Sequence, residues 1–394
     1  MNKKKLTSQM QNALWGIAVG DALGLGVEVK KTDEILALFP KRVDHYIDSQ
    51  WSKAGDVSDD TGMSACIIAA ICRAKALATP DIDLSSGAFS DILLSSIYQA
   101  FLYWAEEQKR DGKYLCKVID EFRDKNIKWP KEFDVFRETG GAGISTLRTL
   151  SRNRQMGTFD NPPQTGEAYP YSDGCGGLMR VIPLAVWCAH TGLDSLDMGM
   201  KSAVITHGDP QAYITAGLIA ETVAIKVNDE HISFADAAKQ ALQKLQTRSD
   251  INSENKNLYK DAIDAAIKYA SQPLRMTGHD MDMLAQHFIE SHGLRKSLFT
   301  ANIVFLQSIA TLFCSEKHQL GMKEALQIAV THSGDSDSVG AIVGGALGCL
   351  KTSEKLLAPE IAALSPNYRK GIEDLNSSFS QAMAVNISKT RRVR

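Results

Sequence analysis

Two short runs in this chain pair carboxylates with hydroxyls: Asp56 followed by Ser58-Asp59-Asp60-Thr61, and Asp335-Ser336-Asp337-Ser338 after His332-Ser333-Gly334. Oxygen-only sets of this kind suit hard cations such as Mg²⁺, Mn²⁺ or Ca²⁺, whereas zinc favours imidazole or thiolate. If the runs converge, Asp59, Asp60, Asp335 and Asp337 would repel one another and rise in pKa unless cations filled the site, and two cations can be accommodated. Neither run has the loop of roughly twelve residues ending in a bidentate glutamate that an EF-hand requires. A purely local account also exists, because each run stands directly before an apolar helical segment. Ser58 or Asp59 is a natural N-cap there, and acidic residues complement the helix dipole.

Between the runs lie two glycine-rich segments, Gly140-Gly141-Ala142-Gly143-Ile144-Ser145-Thr146 and Gly174-Cys175-Gly176-Gly177-Leu178-Met179-Arg180. Glycines expose backbone amides, and a helix N-terminus favours an anion, so both read as surfaces for a diphosphate. As bare sequence each also reads as a flexible turn. Thr206-His207-Gly208-Asp209-Pro210 precedes another apolar helical run. His207 there either packs structurally or bonds a ribose or phosphate opposite an oxygen-rich site.

The elements that must position these residues are helical. Apolar residues recur at three-to-four spacing over Gln11–Leu25, Gly62–Leu77, Ile92–Glu107, Leu178–His190, Gln211–Val227, Phe234–Leu245, Leu298–Phe313 and Lys323–Thr331, and sustained β-alternation is absent. An all-α, compact many-helix single domain follows, with function on the loops. The polar stretches Gln108–Lys113, Asn153–Gly166 and Thr247–Asn257 are too short for an interdomain linker. The domain is expected over 1–388, with the basic tail 389–394 frayed.

The 394 residues carry 44 lysines and arginines against 46 aspartates and glutamates, so no overall field draws the chain to nucleic acid or an anionic membrane. The longest apolar run, Val339–Leu350, falls short of the roughly 20 residues that span a bilayer. It reads as a buried helix whose Gly340, Gly344, Gly345 and Gly348 admit close neighbours. The residues after Met1–Lys5 are too polar for a signal peptide, and the seven cysteines are scattered, mostly in apolar runs. Reduced thiols and a cytoplasmic location are expected.

Taken in order, these motifs resemble the ADP-ribosylglycohydrolase family, whose members include the glycohydrolase that reactivates dinitrogenase reductase. The resemblance starts at Gly16-Ile17-Ala18-Val19-Gly20-Asp21-Ala22-Leu23-Gly24, continues through Glu28 and Ser58-Asp59-Asp60-Thr61, and takes in Gly141-Ala142-Gly143, Gly174 to Pro183 with Met179-Arg180, Thr206-His207 and Tyr213. It closes on Asp335-Ser336-Asp337-Ser338. It implies an all-α bundle in which Ser58, Asp59, Asp60, Asp335, Asp337 and Ser338 bind two Mg²⁺ or Mn²⁺ ions. It implies ADP-ribose contacts from Gly141, Ala142, Gly143, Ser145, Gly174, Cys175, Gly176, His207 and Tyr213. Glu28, Asp60 and Asp335 become the candidates for proton transfer. Glu28 matches a glutamate on a mobile loop of some members, and the glycines before it suggest a lid.

Two departures stand out: serine replaces threonine in the first metal motif, and Asp173-Gly174-Cys175-Gly176 replaces the commoner glycine-asparagine-glycine form. The expected activity is hydrolysis of the bond between ADP-ribose and a modified side chain, arginine before serine, by a monomer. The expected partners are an ADP-ribosylated protein, ADP-ribose and, in a defence setting, an ADP-ribosyltransferase toxin. The alternatives are a hydrolase of a free nucleotide or other ADP-ribose conjugate, and a non-catalytic binder of ADP-ribose or of a toxin.

Overall fold

Glycines four residues apart decide how the site is framed. Gly16, Gly20 and Gly24 lie on one face of the first helix, and Gly340, Gly344 and Gly348 on one face of a helix more than 300 residues later. In the computed structural model these faces meet backbone to backbone. A β-carbon at Gly16 would stand 2.0 Å from Gly344 O, at Gly20 2.0 Å from Gly340 O, and at Gly24 2.4 Å from Asp337 N. The reciprocal positions are as tight, with Gly340 against Gly20 O at 2.3 Å and Gly344 against Gly16 O at 2.0 Å. No side chain fits in this seam, so the helices approach more closely than the usual 8–10 Å or so between axes. The seam runs directly up to Asp21 on one helix and Asp337 on the other.

The structure describes residues 2–110, 113–114, 129, 133–155, 162–163, 172–273 and 277–384. Among them are eighteen α-helices. The first half contains α1 (Lys3–Leu25), α2 (Thr32–Leu38), α3 (Asp59–Leu77), α4 (Gly87–Ala105), α5 (Asp134–Arg137), α6 (Ile144–Gln155), α7 (Ile182–Thr191) and α8 (Ser195–Val204). The second contains α9 (Pro210–Asn228), α10 (Phe234–Gln246), α11 (Ser253–Ala270), α12 (Gly278–His292), α13 (Ala301–Lys317) and α14 (Met322–Val330). It ends with α15 (Ser336–Gly348), α16 (Ser353–Leu356), α17 (Ala358–Ala363) and α18 (Pro366–Ala384). The described strand residues are Lys109–Arg110 paired antiparallel with Lys113–Tyr114. The all-helical single domain expected from periodicity is what the chain forms. The tail 389–394 and part of the polar stretch Asn153–Gly166 lie outside the described residues.

α1 and α15 run together through the core, with α3, α7, α14 and α18 against α1 and with α13 and α14 against α15. Both central helices are buried almost all round, which is why neither shows a clear polar face. The outer helices α10, α11 and α18 are amphipathic and bury one stripe each, for α18 Ile372, Leu375, Phe379 and Met383. The observed helices depart from the sequence expectation in places. α7 begins at Ile182, not Leu178, because Cys175–Gly177 form a 3₁₀ turn and Pro183 suits only a first helical turn. α11 begins inside the polar stretch Thr247–Asn257, where Asn252 caps Asn255 N. α8, α11, α12 and α18 lie outside the runs that periodicity marks, since their apolar stripes are narrow.

Among the described residues no helix is long and apolar enough to cross a membrane. Cys66, Cys72, Cys175, Cys188, Cys314 and Cys349 are free thiols.

Candidate metal centre and ligand cleft

The opening cluster is anchored from beneath. Asp21 of α1 is fully buried, and its carboxylate accepts from Ser58 N at 3.1 and 3.0 Å, from Thr61 N at 3.1 Å and from Thr61 Oγ1 at 2.5 Å. Burial lifts Asp21 to about 6 against the pull of those donors. Ser58 caps α3: its Oγ accepts from Asp60 N and contacts Asp60 Oδ2, both at 3.1 Å. The local capping account therefore holds for Ser58. It does not account for Asp60, whose Oδ1 is buried without any hydrogen-bond partner. An orphaned buried oxygen costs about 1–3 kcal/mol, and a carboxylate more, so this atom is a candidate ligand position.

The closing cluster is arranged differently. Asp335 occupies the N-cap position of α15 but makes no side-chain cap bond. Its Oδ2 instead accepts from Cys175 Sγ at 2.8 Å, and the same sulfur lies 3.5 Å from Ser338 Oγ. Asp337 follows in the first turn and accepts from Ser338 N at 3.0 Å. Glu28 completes the group: oxygens of Glu28, Asp335 and Asp337 all lie within 4.8 Å of one another. The carboxylate is already at the site, and Gly20 and Gly24 serve the helix seam rather than a hinge.

What holds Glu28 there is a strap between two loops. Glu28 N bonds Gly24 O at 2.9 Å, and the next residue, Val29, has φ 62° while its N–H reaches Gly334 O at 3.3 Å. A β-branched residue in that left-handed region costs roughly 1–3 kcal/mol, so the surroundings must impose it. Asp282 of α12 supplies a second tie. It accepts from Ser333 N at 2.9 Å, from Ser333 Oγ at 2.7 Å and from Thr32 Oγ1 at 2.6 Å, while Thr32 N donates to Ser333 Oγ at 2.9 Å. The loop carrying Glu28 and the loop carrying Asp335 are thus one unit. Sequence reasoning missed Asp282 entirely, because an isolated aspartate in an amphipathic stretch carries no signal. Asp21 stands in the opening glycine-aspartate motif, where the sequence pattern alone discloses no role for it.

The two clusters share one electrostatic site. Burial, with Asp335, Asp59 and Asp21 beside it, pushes Glu28 up to about 8. Burial, then Asp21 and Asp335, pushes Asp59 up to about 8 as well. Asp60 is held well above the carboxylate range by burial and by Asp21, Asp59 and Asp335. Asp337 is raised by burial, Glu28, Asp60 and Asp335. Proton uptake of this kind is what crowded carboxylates do when nothing neutralises them. The all-oxygen donor set and the orphaned Asp60 Oδ1 fit a divalent-cation centre.

Both glycine segments reach this centre. Gly141, at φ +102°, lies so close that a β-carbon would stand 2.6 Å from Asp59 Oδ1. A β-carbon at Gly176 would meet His207 Cε1 at 2.8 Å and Thr146 Oγ1 at 3.1 Å, and one at Gly174 would stand 3.7 Å from His207 Nε2. Gly141 and Gly143 are exposed, Ala142, Ser145, Gly174, Cys175 and Gly176 half-buried. His207 is buried, and burial, with Arg180 nearby, lowers it to about 3, leaving a neutral ring. Arg180 donates to Thr206 Oγ1 at 2.7 Å, and the Thr206 hydroxyl lies 3.5 Å from Ala203 O and 2.8 Å from His207 Nδ1. Nε2 is the nitrogen facing the glycines, and it carries the proton when Thr206 donates to Nδ1. Tyr213 is placed otherwise. Its ionic neighbours are Asp250, Asp209 and Arg248 rather than either acidic cluster.

The family model for ADP-ribosylglycohydrolase matches residues 2–388. A protein of Archaeoglobus fulgidus described as uncharacterized is 23% identical over 350 residues, which cover 87% of this chain and 88% of that one. A solved structure described as an ADP-ribosylglycohydrolase-related protein complex superposes with a TM-score of 0.55 at 17% identity, over 96% of this chain and 99% of the other. That likeness is one of fold.

Proposed function

This chain belongs to the ADP-ribosylglycohydrolase family, and we propose that it is a dimetal hydrolase of the dinitrogenase reductase-activating type, cleaving the glycosidic bond between ADP-ribose and a protein side chain. The observation that carries the reading is the meeting of Glu28, Asp335 and Asp337 within 4.8 Å, in electrostatic contact with Asp59 and Asp60, at the mouth of two glycine segments. Ser58, Asp59 and Asp60 on one side and Asp335, Asp337 and Ser338 on the other would hold two Mg²⁺ or Mn²⁺ ions. When bound, these supply Lewis-acid polarisation of ribose hydroxyls and neutralise the carboxylates.

The chain's own groups do the rest. Exposed amides of Gly141–Gly143 and the first turn of α6 receive the diphosphate, since the first four N–H groups of a helix have no partner within it. His207 donates from Nε2 to the ribose or phosphate oxygen lying over Gly174 and Gly176. Bound at both ends, the sugar is held with its anomeric carbon over the carboxylates, which lowers the entropic part of the barrier. A carboxylate of the centre, Glu28, Asp60 or Asp335, takes the proton from the attacking water as the leaving group departs. Five carboxylates, Glu28, Asp59, Asp60, Asp335 and Asp337, against two divalent ions leave the loaded cleft net acidic, which favours a cationic leaving group, so arginine-linked ADP-ribose is preferred over serine-linked.

The deciding assay incubates the protein with defined arginine-linked and serine-linked ADP-ribosyl peptides, with Mg²⁺ and with chelator, and reads the products by mass spectrometry. Release of intact ADP-ribose only with metal is the expected result. Binding without release, or attack elsewhere on the nucleotide, would replace this reading with one of a binder or a nucleotide hydrolase.

A further inference from the structure

Of all the side chains around the acidic centre, Cys175 is the one whose chemistry differs in kind. Its Sγ stands 2.8 Å from Asp335 Oδ2 and 3.5 Å from Ser338 Oγ, so it faces two oxygens of the closing cluster at once. With zinc–sulfur and zinc–oxygen bonds of about 2.3 and 2.0–2.2 Å, sulfur and oxygen on one ion lie roughly 3.1–3.6 Å apart. The Ser338 separation already falls in that range, and a shift of a few tenths of an ångström brings the Asp335 one into it. The cysteine is also fixed in place. Leu178 N and Met179 N bond Cys175 O at 2.7 and 3.0 Å, Ala301 N bonds Asp173 O at 2.8 Å, and Arg295 grips both Asp173 oxygens at 2.8 and 2.7 Å. An independent atom points the same way: Asp60 Oδ1, on a residue only 2% exposed, has no partner, and Asp60 acts electrostatically on Cys175.

We propose that Cys175 is a sulfur ligand to the cation held by Asp335, so that the two metal positions differ: an all-oxygen one at Ser58-Asp59-Asp60, and a mixed oxygen–sulfur one at the closing cluster that prefers a thiophilic divalent ion. The inference rests on the reading of the cleft as a divalent-cation centre. Forming the sulfur–metal bond releases the thiol proton to solvent and changes no oxidation state. Mg²⁺ gains nothing from sulfur, whereas Zn²⁺ and Cd²⁺ do.

The test uses the full chain stripped of metal and titrated separately with Mg²⁺, Mn²⁺ and Cd²⁺ by calorimetry, with Cd²⁺ also followed through the ultraviolet thiolate-to-cadmium charge-transfer band. Cys175→Ser should lose that band and weaken one Cd²⁺ site at least about tenfold, the equivalent of about 1.4 kcal/mol, while Mg²⁺ affinity moves by less than about threefold. A cadmium-113 spectrum of the parent protein, shifted downfield by sulfur ligation, decides the point without any variant. An unchanged band in Cys175→Ser, or a parent spectrum typical of oxygen ligands alone, overturns the sulfur ligand and leaves the metal centre standing. Failure of the parent to bind any of the three ions overturns the metal centre as well.

Discussion

The two acidic clusters look alike in sequence and are built on different principles. Ser58-Asp59-Asp60-Thr61 is a working helix cap. Ser58 satisfies Asp60 N, and the whole turn hangs from the buried Asp21 through hydrogen bonds to Ser58 and Thr61. Asp335-Ser336-Asp337-Ser338 stands at the same place on its own helix, yet Asp335 caps nothing. Its carboxylate faces Cys175, Asp337 and Glu28 instead, and its loop is tied through Ser333 to Asp282 and Thr32. One cluster thus uses its hydroxyl and its amides for capping and anchoring its helix, whereas the other leaves its carboxylates facing one another across the cleft. Position at a helix N-terminus does not identify the role. The partner of each oxygen does.

The largest expected effect follows from that contrast. Asp335→Ala should lower kcat/KM at least about a thousandfold, roughly 4 kcal/mol of barrier, without lowering the melting temperature of the metal-free protein. Ser58→Ala should cost about 1 kcal/mol of stability as a lost cap, with turnover reduced but still measurable. Denaturant melts alongside steady-state kinetics read both, and a destabilised Asp335→Ala would erase the distinction. The glycine seam underlies both clusters. Gly344→Ala sets a β-carbon 2.0 Å from Gly16 O, and overpacking of that kind costs about 1–3 kcal/mol. Since the seam must open, metal affinity should fall along with stability, and calorimetry on the folded variant would expose any separation of the two.

Glu28 sharpens the comparison on the closing side. Glu28→Gln keeps the shape of the strapped loop but loses a proton acceptor, so kcat should fall at least about tenfold, about 1.4 kcal/mol, with ADP-ribose affinity retained. Single-turnover hydrolysis beside calorimetric titration decides it: unchanged hydrolysis removes Glu28 from catalysis, and loss of binding alone makes it a clamp. The smallest effect is on the pH dependence of stability. Asp21, Glu28 and Asp59 have folded pKa values raised to about 6, 8 and 8. A raised carboxyl contributes stability that is fully present below its unfolded pKa and lost as pH rises through the folded value. The metal-free protein should therefore melt progressively lower from about pH 4 to about pH 8. Saturating Mg²⁺ should flatten the slope, since cations hold the same groups ionised. A metal-free melt that rises over that window would contradict the placement of these carboxylates.

Much of the frame was legible. Long helices such as α1, α3, α9 and α13 announce themselves by apolar spacing, and the four-residue repeat of Gly340, Gly344 and Gly348 signals close packing before any partner is known. The structure gathers Glu28, Asp59, Asp60, Asp335 and Asp337, with Gly141 beside Asp59, Cys175 beside Asp335 and His207 against Gly174 and Gly176, while Tyr213 has Asp250, Asp209 and Arg248 as its ionic neighbours. α8, α11, α12 and α18 escaped because a surface helix with a narrow buried stripe resembles a polar loop in sequence. Asp282 escaped for a related reason, since its function lies wholly in what Thr32 and Ser333 offer it.

By itself the sequence determined the local matters: which segments are helical, where caps and glycine turns fall, and that oxygen donors gather in two runs. These depend on neighbours a few residues apart, where hydrogen-bond geometry and side-chain period act directly. Only the tertiary structure decided that Glu28 joins Asp335 and Asp337, that Asp60 keeps an oxygen unpartnered while Asp21 keeps none free for lack of donors, and that Cys175 lies against Asp335. Those pairings span up to some 300 residues of chain, and the energy that selects them comes from burying the glycine seam and the surrounding core. No local pattern carries that information, because the cost of orphaning a carboxylate depends on who stands opposite once water has been excluded.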